Sequence, residues 1–140
     1  MANIVPDSFK QELFTATHNF NTTSGNTFYL SLYTTVTGFS ANTTNYITTN
    51  EASGTGYTAG GTALVNSTVT VAQNISFISF NNATFSTATL SASCCLIYNT
   101  TQSKKAVVIL DFTTTQTATN GNFTIQFPTA NSTSAVLRIS

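Results

Sequence analysis

Few residues in this 140-residue chain could carry acid–base, nucleophilic or metal chemistry, and His18 is the only histidine. A catalytic base needs a nucleophile and an orienting acid beside it, and a metal site needs at least two further ligands. The chain has four acids, Asp7, Glu12, Glu51 and Asp111. No spacing in the sequence places one of them beside His18, so the favoured interpretation of His18 is structural.

Glu51 and Asp111 raise the question of glycoside hydrolysis, which uses two carboxylates at a fixed separation. Asp111 ends an apolar segment, and it is expected to pair with Arg138 or Lys105 or to accept backbone hydrogen bonds. Glu51 lies beside a cluster of glycines and could cap their turn. Calcium takes six to eight oxygen ligands, and the sequence has no cluster of acids to supply them. We therefore predict no catalytic residues, no cofactor, no metal site and no enzymatic activity.

Cys94 and Cys95 are adjacent. Neighbouring Cα atoms lie ~3.8 Å apart, below the usual disulfide range of ~4.4–6.8 Å. Two thiols also fall short of the four ligands of a structural zinc ion. The sequence predicts buried, reduced cysteines, which fits synthesis in a reducing cytoplasm.

The polar residues are mostly uncharged. Charged residues make up 6% of the chain, Thr occupies 30 positions and Asn occupies 15, whereas an ordinary domain is about 25% charged. Thr is β-branched and suits a pleated, half-buried surface. Low charge leaves little repulsion between neighbouring molecules. The composition favours a sheet protein that packs in an assembly, and a Thr-rich solvated sheet is the alternative.

Nucleic acids and membranes are not expected partners. The four cations, Lys10, Lys104, Lys105 and Arg138, are too few and too scattered to form a phosphate-binding patch. The longest apolar runs, 94–98 and 106–110, are five residues long, against the ~20 that a membrane span requires. The N-terminus also lacks the pattern of a signal peptide.

Residues 7–14 carry the only helix signal. Asp7 or Ser8 could cap the first turn, and Phe9 and Leu13 share one face. Two helical turns are marginal alone, so the helix must dock. It either covers one end of the domain's own sheet or forms an arm that contacts a neighbouring subunit. We divide the chain into an N-terminal arm with a short helix, residues 1–20, and a β-sandwich domain, residues 21–140.

Alternation with a period of two begins after Gly25 and predicts short strands along the rest of the chain. Asn120-Gly121 is a hairpin turn signal, and Pro128 ends the strand before it. No helical stretch separates the strands, so the pattern predicts an all-β fold: a single antiparallel β-sandwich, jelly-roll-like, with a short N-terminal helix. The eight or nine predicted strands are 28–33, 46–49, 63–72, 75–80, 85–92, 94–98, 106–112, 123–127 and 136–139.

Four glycines, Gly54, Gly56, Gly60 and Gly61, cluster within eight residues. Glycine can adopt positive φ, so the segment is predicted to be a loop or bulge that takes a sharp path at the edge of the sheet. Phosphate binding is the other interpretation of such glycines. It fails because no Lys follows and no strand–loop–helix context exists.

Several segments occur in a fixed order along the chain: SFKQEL at 8–13 with HNF at 18–20, TFYLSLY at 27–33, NEASGTGYTAGG at 50–61, LIYN at 96–99 with KAVVILDF at 105–112, and FTIQFP at 123–128. Together they resemble a family of small virion proteins of tailed bacteriophages. The glycine segment is the most specific, and Cys94-Cys95 is a departure that bears on strand packing. The resemblance implies a head decoration (cement) protein, commonly a trimer on the capsid exterior.

The expected function is therefore that of a phage structural protein that bridges and stabilises capsid subunits. Its expected partners are the major capsid protein and further copies of itself, and it would be made in the host bacterial cytoplasm. Alternatives are a tail, neck or fibre-attachment component, and a carbohydrate-binding module that uses tyrosine platforms. The candidate subunit contacts are Phe9, Leu13, Phe14 and Tyr57.

Overall fold

The computed structural model describes residues 3–140, and the polypeptide there forms two antiparallel sheets and one short helix. The larger sheet has the strand order β2-β1-β5-β6, and the smaller has the order β3-β4-β7. The predicted all-β sandwich with a short N-terminal helix is confirmed. The elements are α1 (Asp7–Phe14), β1 (Phe28–Tyr33), β2 (Thr62–Ala63), β3 (Thr70–Ala72), β4 (Ile75–Ile78), β5 (Ala83–Asn99), β6 (Lys105–Ile125) and β7 (Leu137–Ile139).

The number of strands was predicted wrongly, because one long hairpin replaces four short strands. Segments 85–92 and 94–98 both belong to β5, and 106–112 and most of 123–127 belong to β6. The predicted turn at Asn120-Gly121 is also wrong, since both residues lie within β6 and Gly121 pairs with Ala88. Asn120 instead has φ +47°, beside a register shift. A residue pair that often makes a hairpin turn here makes a β-bulge.

Two other predicted strands differ from the structure. Segment 46–49 is not a strand, and only the adjacent Asn45 forms a single bridge, to Lys105. Segment 63–72 splits into β2 and β3, which join different sheets. Tyr46 and Ile47 instead pack over the larger sheet.

The larger sheet is buried on both faces along β1, the last six residues of β5 (94–99) and residues 106–109 of β6. On one face, Phe28, Leu30 and Leu32 join the main core with Cys95 and Ile97. The opposite face contains Tyr33, Leu96 and Ile109 beneath the segment that carries Phe39, Tyr46 and Ile47. This two-sided burial explains why 94–98 and 106–110 are continuous apolar runs rather than alternating ones.

The position of α1 was predicted correctly, but its cap was not. The helix begins after Pro6, with no side-chain cap. Ser8 donates its hydroxyl hydrogen to the carbonyl oxygen of Thr43, and Asp7 pairs with Lys10 on the surface. The Ser8 hydroxyl, which the sequence offered as a helix cap, therefore makes a tertiary hydrogen bond instead. None of the helical residues between positions 3 and 140 forms a segment long and apolar enough to cross a bilayer.

Cys94 and Cys95 are both free and buried, as predicted. They face opposite sides of the larger sheet, so each belongs to a different core. Burial, with the charge of Asp111 nearby, raises the pKa of the Cys94 thiol to about 12. Burial likewise holds the pKa of Cys95 above its usual range.

Candidate interaction surface

Aromatic packing fixes α1 to the sandwich. The side chain of Phe9 is buried, and its ring lies 4.9 Å from that of His18 and 6.2 Å, edge-on, from that of Phe20. Phe20 in turn stacks on Phe28 of β1 at 4.5 Å. Burial of a Phe side chain contributes roughly 1.5–3 kcal/mol, so these contacts hold the helix in place. The predicted arm therefore packs on the domain over residues 3–20, and positions 1 and 2 lie outside the described residues.

A polar cluster beneath the helix links three parts of the chain. The Glu12 carboxylate of α1 lies 2.6 Å from Nε2 of His18 and 2.9 Å from Nζ of Lys105 at the start of β6. The His18 side chain is 0% exposed, and that of Glu12 is 13% exposed. Burial alone would raise the pKa of Glu12, but the hydrogen bonds from Lys105 and His18 outweigh it, so the pKa lies below its ordinary value.

The sequence offered Arg138, Lys105 or backbone hydrogen bonds as partners of Asp111. In the structure, Asp111 accepts the backbone N–H of Thr113, while Lys105 pairs with Glu12.

Asn99 determines the tautomer of His18. The Asn99 side-chain oxygen accepts the backbone N–H groups of Thr101 and Gln102, so its Nδ2 is the atom that faces Nδ1 of His18 at 3.0 Å. Nδ1 is therefore an acceptor, and the proton resides on Nε2, which donates to Glu12. Burial lowers the pKa of His18 despite the Glu12 carboxylate. Both ring nitrogens are engaged, so this histidine offers no free atom to a substrate or a metal.

The glycine segment is held by Glu51. One carboxylate oxygen accepts the hydroxyl of Tyr57 and the backbone N–H of Gly60, both at 2.7 Å, and the other accepts the hydroxyl of Tyr46 at 2.7 Å. The turn-capping role predicted for Glu51 is confirmed. Burial and these bonds to Glu51 raise the pKa of both tyrosines above the usual range.

Two glycines allow this segment to cross the sheet edge at close range. Gly61 has φ +82°, and a Cβ there would overlap the backbone carbonyl of Leu30 in β1. Gly54 has φ +150°, and a Cβ there would overlap the carbonyl of Thr89 in β5. The prediction that the glycine cluster follows a sharp path at the edge of the sheet is confirmed.

A groove of about 600 Å³ lies between α1 and the smaller sheet. Leu13 and Phe20 line one side, and Phe77 and Leu137 line the other. The charged residues that line it are both cations, Lys10 and Arg138. Lys10 already pairs with Asp7 at 2.7 Å.

Exposed apolar side chains surround this groove. Val69 and Ile139 line it and are 48% and 59% exposed, although the sequence placed both in strands. Phe14, next to Leu13 at the end of α1, is 94% exposed. We call the groove with Phe14, Val69 and Ile139 the apolar patch. Exposed apolar side chains in and next to an apolar groove are typical of an interaction site.

The four predicted subunit contacts have different environments. Phe9 is committed to the protein's own core, and Tyr57 is half-buried with its hydroxyl between Glu51 and the backbone N–H of Leu32. Leu13 is half-buried at the groove, and Phe14 is exposed. Leu13 and Phe14 are therefore the predicted contacts that the fold leaves on the apolar patch. Val69 and Ile139 were missed because their alternating pattern resembles that of buried strand residues.

No group of three or more His, Cys, Asp or Glu side chains within residues 3–140 is arranged to hold a metal ion. No protein-family model, curated protein or solved structure matches this chain. The apolar patch, on a surface that carries few charges, is the feature from which a function can be argued.

Proposed function

We propose that this protein is a non-enzymatic structural component of a tailed-phage virion, a capsid decoration (cement) protein that bridges and stabilises capsid subunits. The apolar patch is the observation that carries the proposal. A monomeric protein in solution gains nothing from a 94% exposed Phe beside an open apolar groove, whereas an assembly buries both. The resemblance of the quoted segments to virion proteins supports the same role.

The mechanism is thermodynamic bridging. A protein that binds only the assembled lattice stabilises it by mass action. Each copy would bury surface against two or more capsid subunits, and a standard interface buries ~1,200–2,000 Å². Separating the subunits then also requires breaking the contacts of the cement protein.

The proposed partners are the major capsid protein and further copies of this chain, which the resemblance implies form trimers. The proposed location is the capsid exterior, after synthesis in the bacterial cytoplasm. Two free, buried cysteines fit synthesis in a reducing compartment.

A particle reconstruction tests the proposal. We expect many copies distributed over the head, and particles that lack the protein should release DNA at lower temperature or under milder osmotic shock than complete particles. Equal survival of stripped and complete particles would contradict a cement role. A few copies at a single vertex would instead indicate the tail, neck or fibre-attachment alternative.

The carbohydrate-binding alternative depends on exposed aromatic rings. Tyr33 and Tyr98 are buried, and their hydroxyls donate to the carbonyls of Ile47 and Gly60. Two of the five tyrosines that the sequence offered as platforms are thus withdrawn from the surface. A glycan array with the purified chain tests the rest.

A further inference from the structure

Phe14 has the most exposed large hydrophobic side chain in the part of the chain that the structure describes. It is the last residue of α1, directly after Leu13 and four positions after Lys10, and both of these line the groove. Residues four apart lie on the same side of a helix. Phe14 therefore stands at the rim of the groove, and it is not among the groove's own lining residues.

The groove suits an aromatic side chain. Its volume of about 600 Å³ lies within the ~300–1,000 Å³ range of small-molecule sites. Phe20 lines it and is half-buried, so part of its ring is open to an incoming ring, and the buried Phe9 and Phe77 make its floor apolar. Arg138 also lines it, and a guanidinium close to an aromatic face is favourable.

We propose that the groove of one copy binds Phe14 of a second copy of this chain. A projecting ring and an open apolar groove lie on one patch, so copies that meet through this patch satisfy both features at once. A neutral ring also enters without the desolvation cost of a charged group. The contact deepens the proposed function, because it names how copies of the protein associate, and it can fail while the proposed function holds.

The first test measures the mass of the purified full-length chain by sedimentation velocity and light scattering, from micromolar to submillimolar concentration. We expect a concentration-dependent dimer or trimer. Phe14→Ser should weaken the association about tenfold or more in Kd. Val65→Ser is the matched control, because Val65 is 61% exposed and does not line the groove. It should leave the mass unchanged.

The second test mixes two variants that each lack one half of the contact. Val69→Arg places a charge at the groove, where Val69 is 48% exposed, so folding should be retained. Phe14→Ser and Val69→Arg should each self-associate more weakly than the wild type, but a mixture should associate more tightly than either variant alone, because one supplies the groove and the other supplies the ring. Circular dichroism and thermal unfolding should match those of the wild type for each variant.

Three results would overturn the inference: a wild-type monomer at every concentration, an assembly as sensitive to Val65→Ser as to Phe14→Ser, or a mixture that associates no more tightly than either variant alone. A monomer in solution that nevertheless decorates particles would leave the proposed function standing and assign the groove to a capsid segment.

Discussion

The role of His18 depends on its neighbours rather than on its own chemistry. The Nε2–H of its imidazole donates a hydrogen bond to the Glu12 carboxylate, and the side-chain amide of Asn99 donates one to Nδ1. A proton added to Nδ1 would face the Asn99 amide hydrogens, so the cationic form loses a hydrogen bond as well as water. A residue type that often marks catalysis here joins α1 to the sheet.

Lowering the pH should destabilise the fold through His18. Its folded pKa is below the ordinary 6.5, so the unfolded chain binds more protons as the pH falls below that value. The contribution of neutral His18 to the free energy of unfolding is complete above pH 6.5. Below that pH the contribution declines by at most ~1.4 kcal/mol per pH unit. Urea unfolding at about pH 7.5 and about pH 5.5 measures this loss.

His18→Gln is the control for this measurement, because the chain has no other histidine. The variant should be less stable at neutral pH but lose less free energy of unfolding between the two pH values. The lowered pKa of Glu12 acts in a separate window, since its stabilising contribution is lost as the pH falls below 4.5. Equal wild-type stability at both pH values would refute the role of His18.

Replacing Glu51 with Gln should lower the free energy of unfolding by about 1–3 kcal/mol, because three donors converge on the carboxylate and an amide can accept at only one atom. Asp7→Asn is the matched control. Asp7 pairs with Lys10 on the surface, with both side chains more than half exposed, so its loss should cost under about 1 kcal/mol. Comparable losses for the two variants in urea unfolding would argue that the Glu51 carboxylate does not hold the glycine segment.

At the level of elements, the β5–β6 hairpin is interrupted by bulges. Four register shifts divide its ladder, and Thr87, Thr113 and Asn120, each with positive φ, lie at three of them. A β-branched residue in this conformation costs roughly 1–3 kcal/mol, which the surrounding packing must offset. No charged residue lies between positions 112 and 137, so bulges rather than charges limit strand pairing at this edge.

Gly61→Ala tests the close approach of the glycine segment to the backbone of β1. The added Cβ would meet the Leu30 carbonyl at a φ of +82°, and we expect a loss of more than about 2 kcal/mol in the free energy of unfolding.

Gly38→Ala separates steric overlap from backbone strain. Gly38 has φ +103°, but no atom lies within 4 Å of an added Cβ, so this variant should lose only about 1–2 kcal/mol. Thermal and urea unfolding compare the two variants. If Gly61→Ala lowers the free energy of unfolding no more than Gly38→Ala does, an added Cβ at Gly61 does not overlap β1 in solution.

At the scale of the whole molecule, apolar burial rather than charge organises the protein. Two cores cover both faces of the larger sheet, and the few ionised side chains are used for specific ties, such as Glu12 to His18 and Lys105. Few charges remain to keep copies apart. This balance is consistent with a protein that works in contact with others.

The two thiols report on global unfolding. Cys94 and Cys95 are fully buried in different cores, and burial raises their pKa values, so a thiol reagent should not modify the native protein near neutral pH. In denaturant, both thiols should react, with a midpoint that coincides with the loss of circular dichroism. Modification of either thiol well below that midpoint would show that one core opens separately.

The candidate site was only partly predictable. Phe9 and Leu13 follow helical spacing, so α1 and its inward face could be predicted, whereas the role of Phe14 as a subunit contact stays a prediction. Val69 and Val71 alternate like buried strand residues but are exposed. Val71 lies in β3, an edge strand of a small sheet, and Val69 lies just before that strand, so the exposure of both depends on how distant parts of the chain pack.

The sequence by itself determined the short helix and most of the extended stretches, because these properties follow from periodicity over a few residues. Only the tertiary structure decided that four predicted strands join into two, and that Glu12, His18, Asn99 and Lys105 meet. The last contacts join residues up to 93 positions apart. Local patterns specify the face that a side chain presents, whereas its partner is set by the packing of the whole chain.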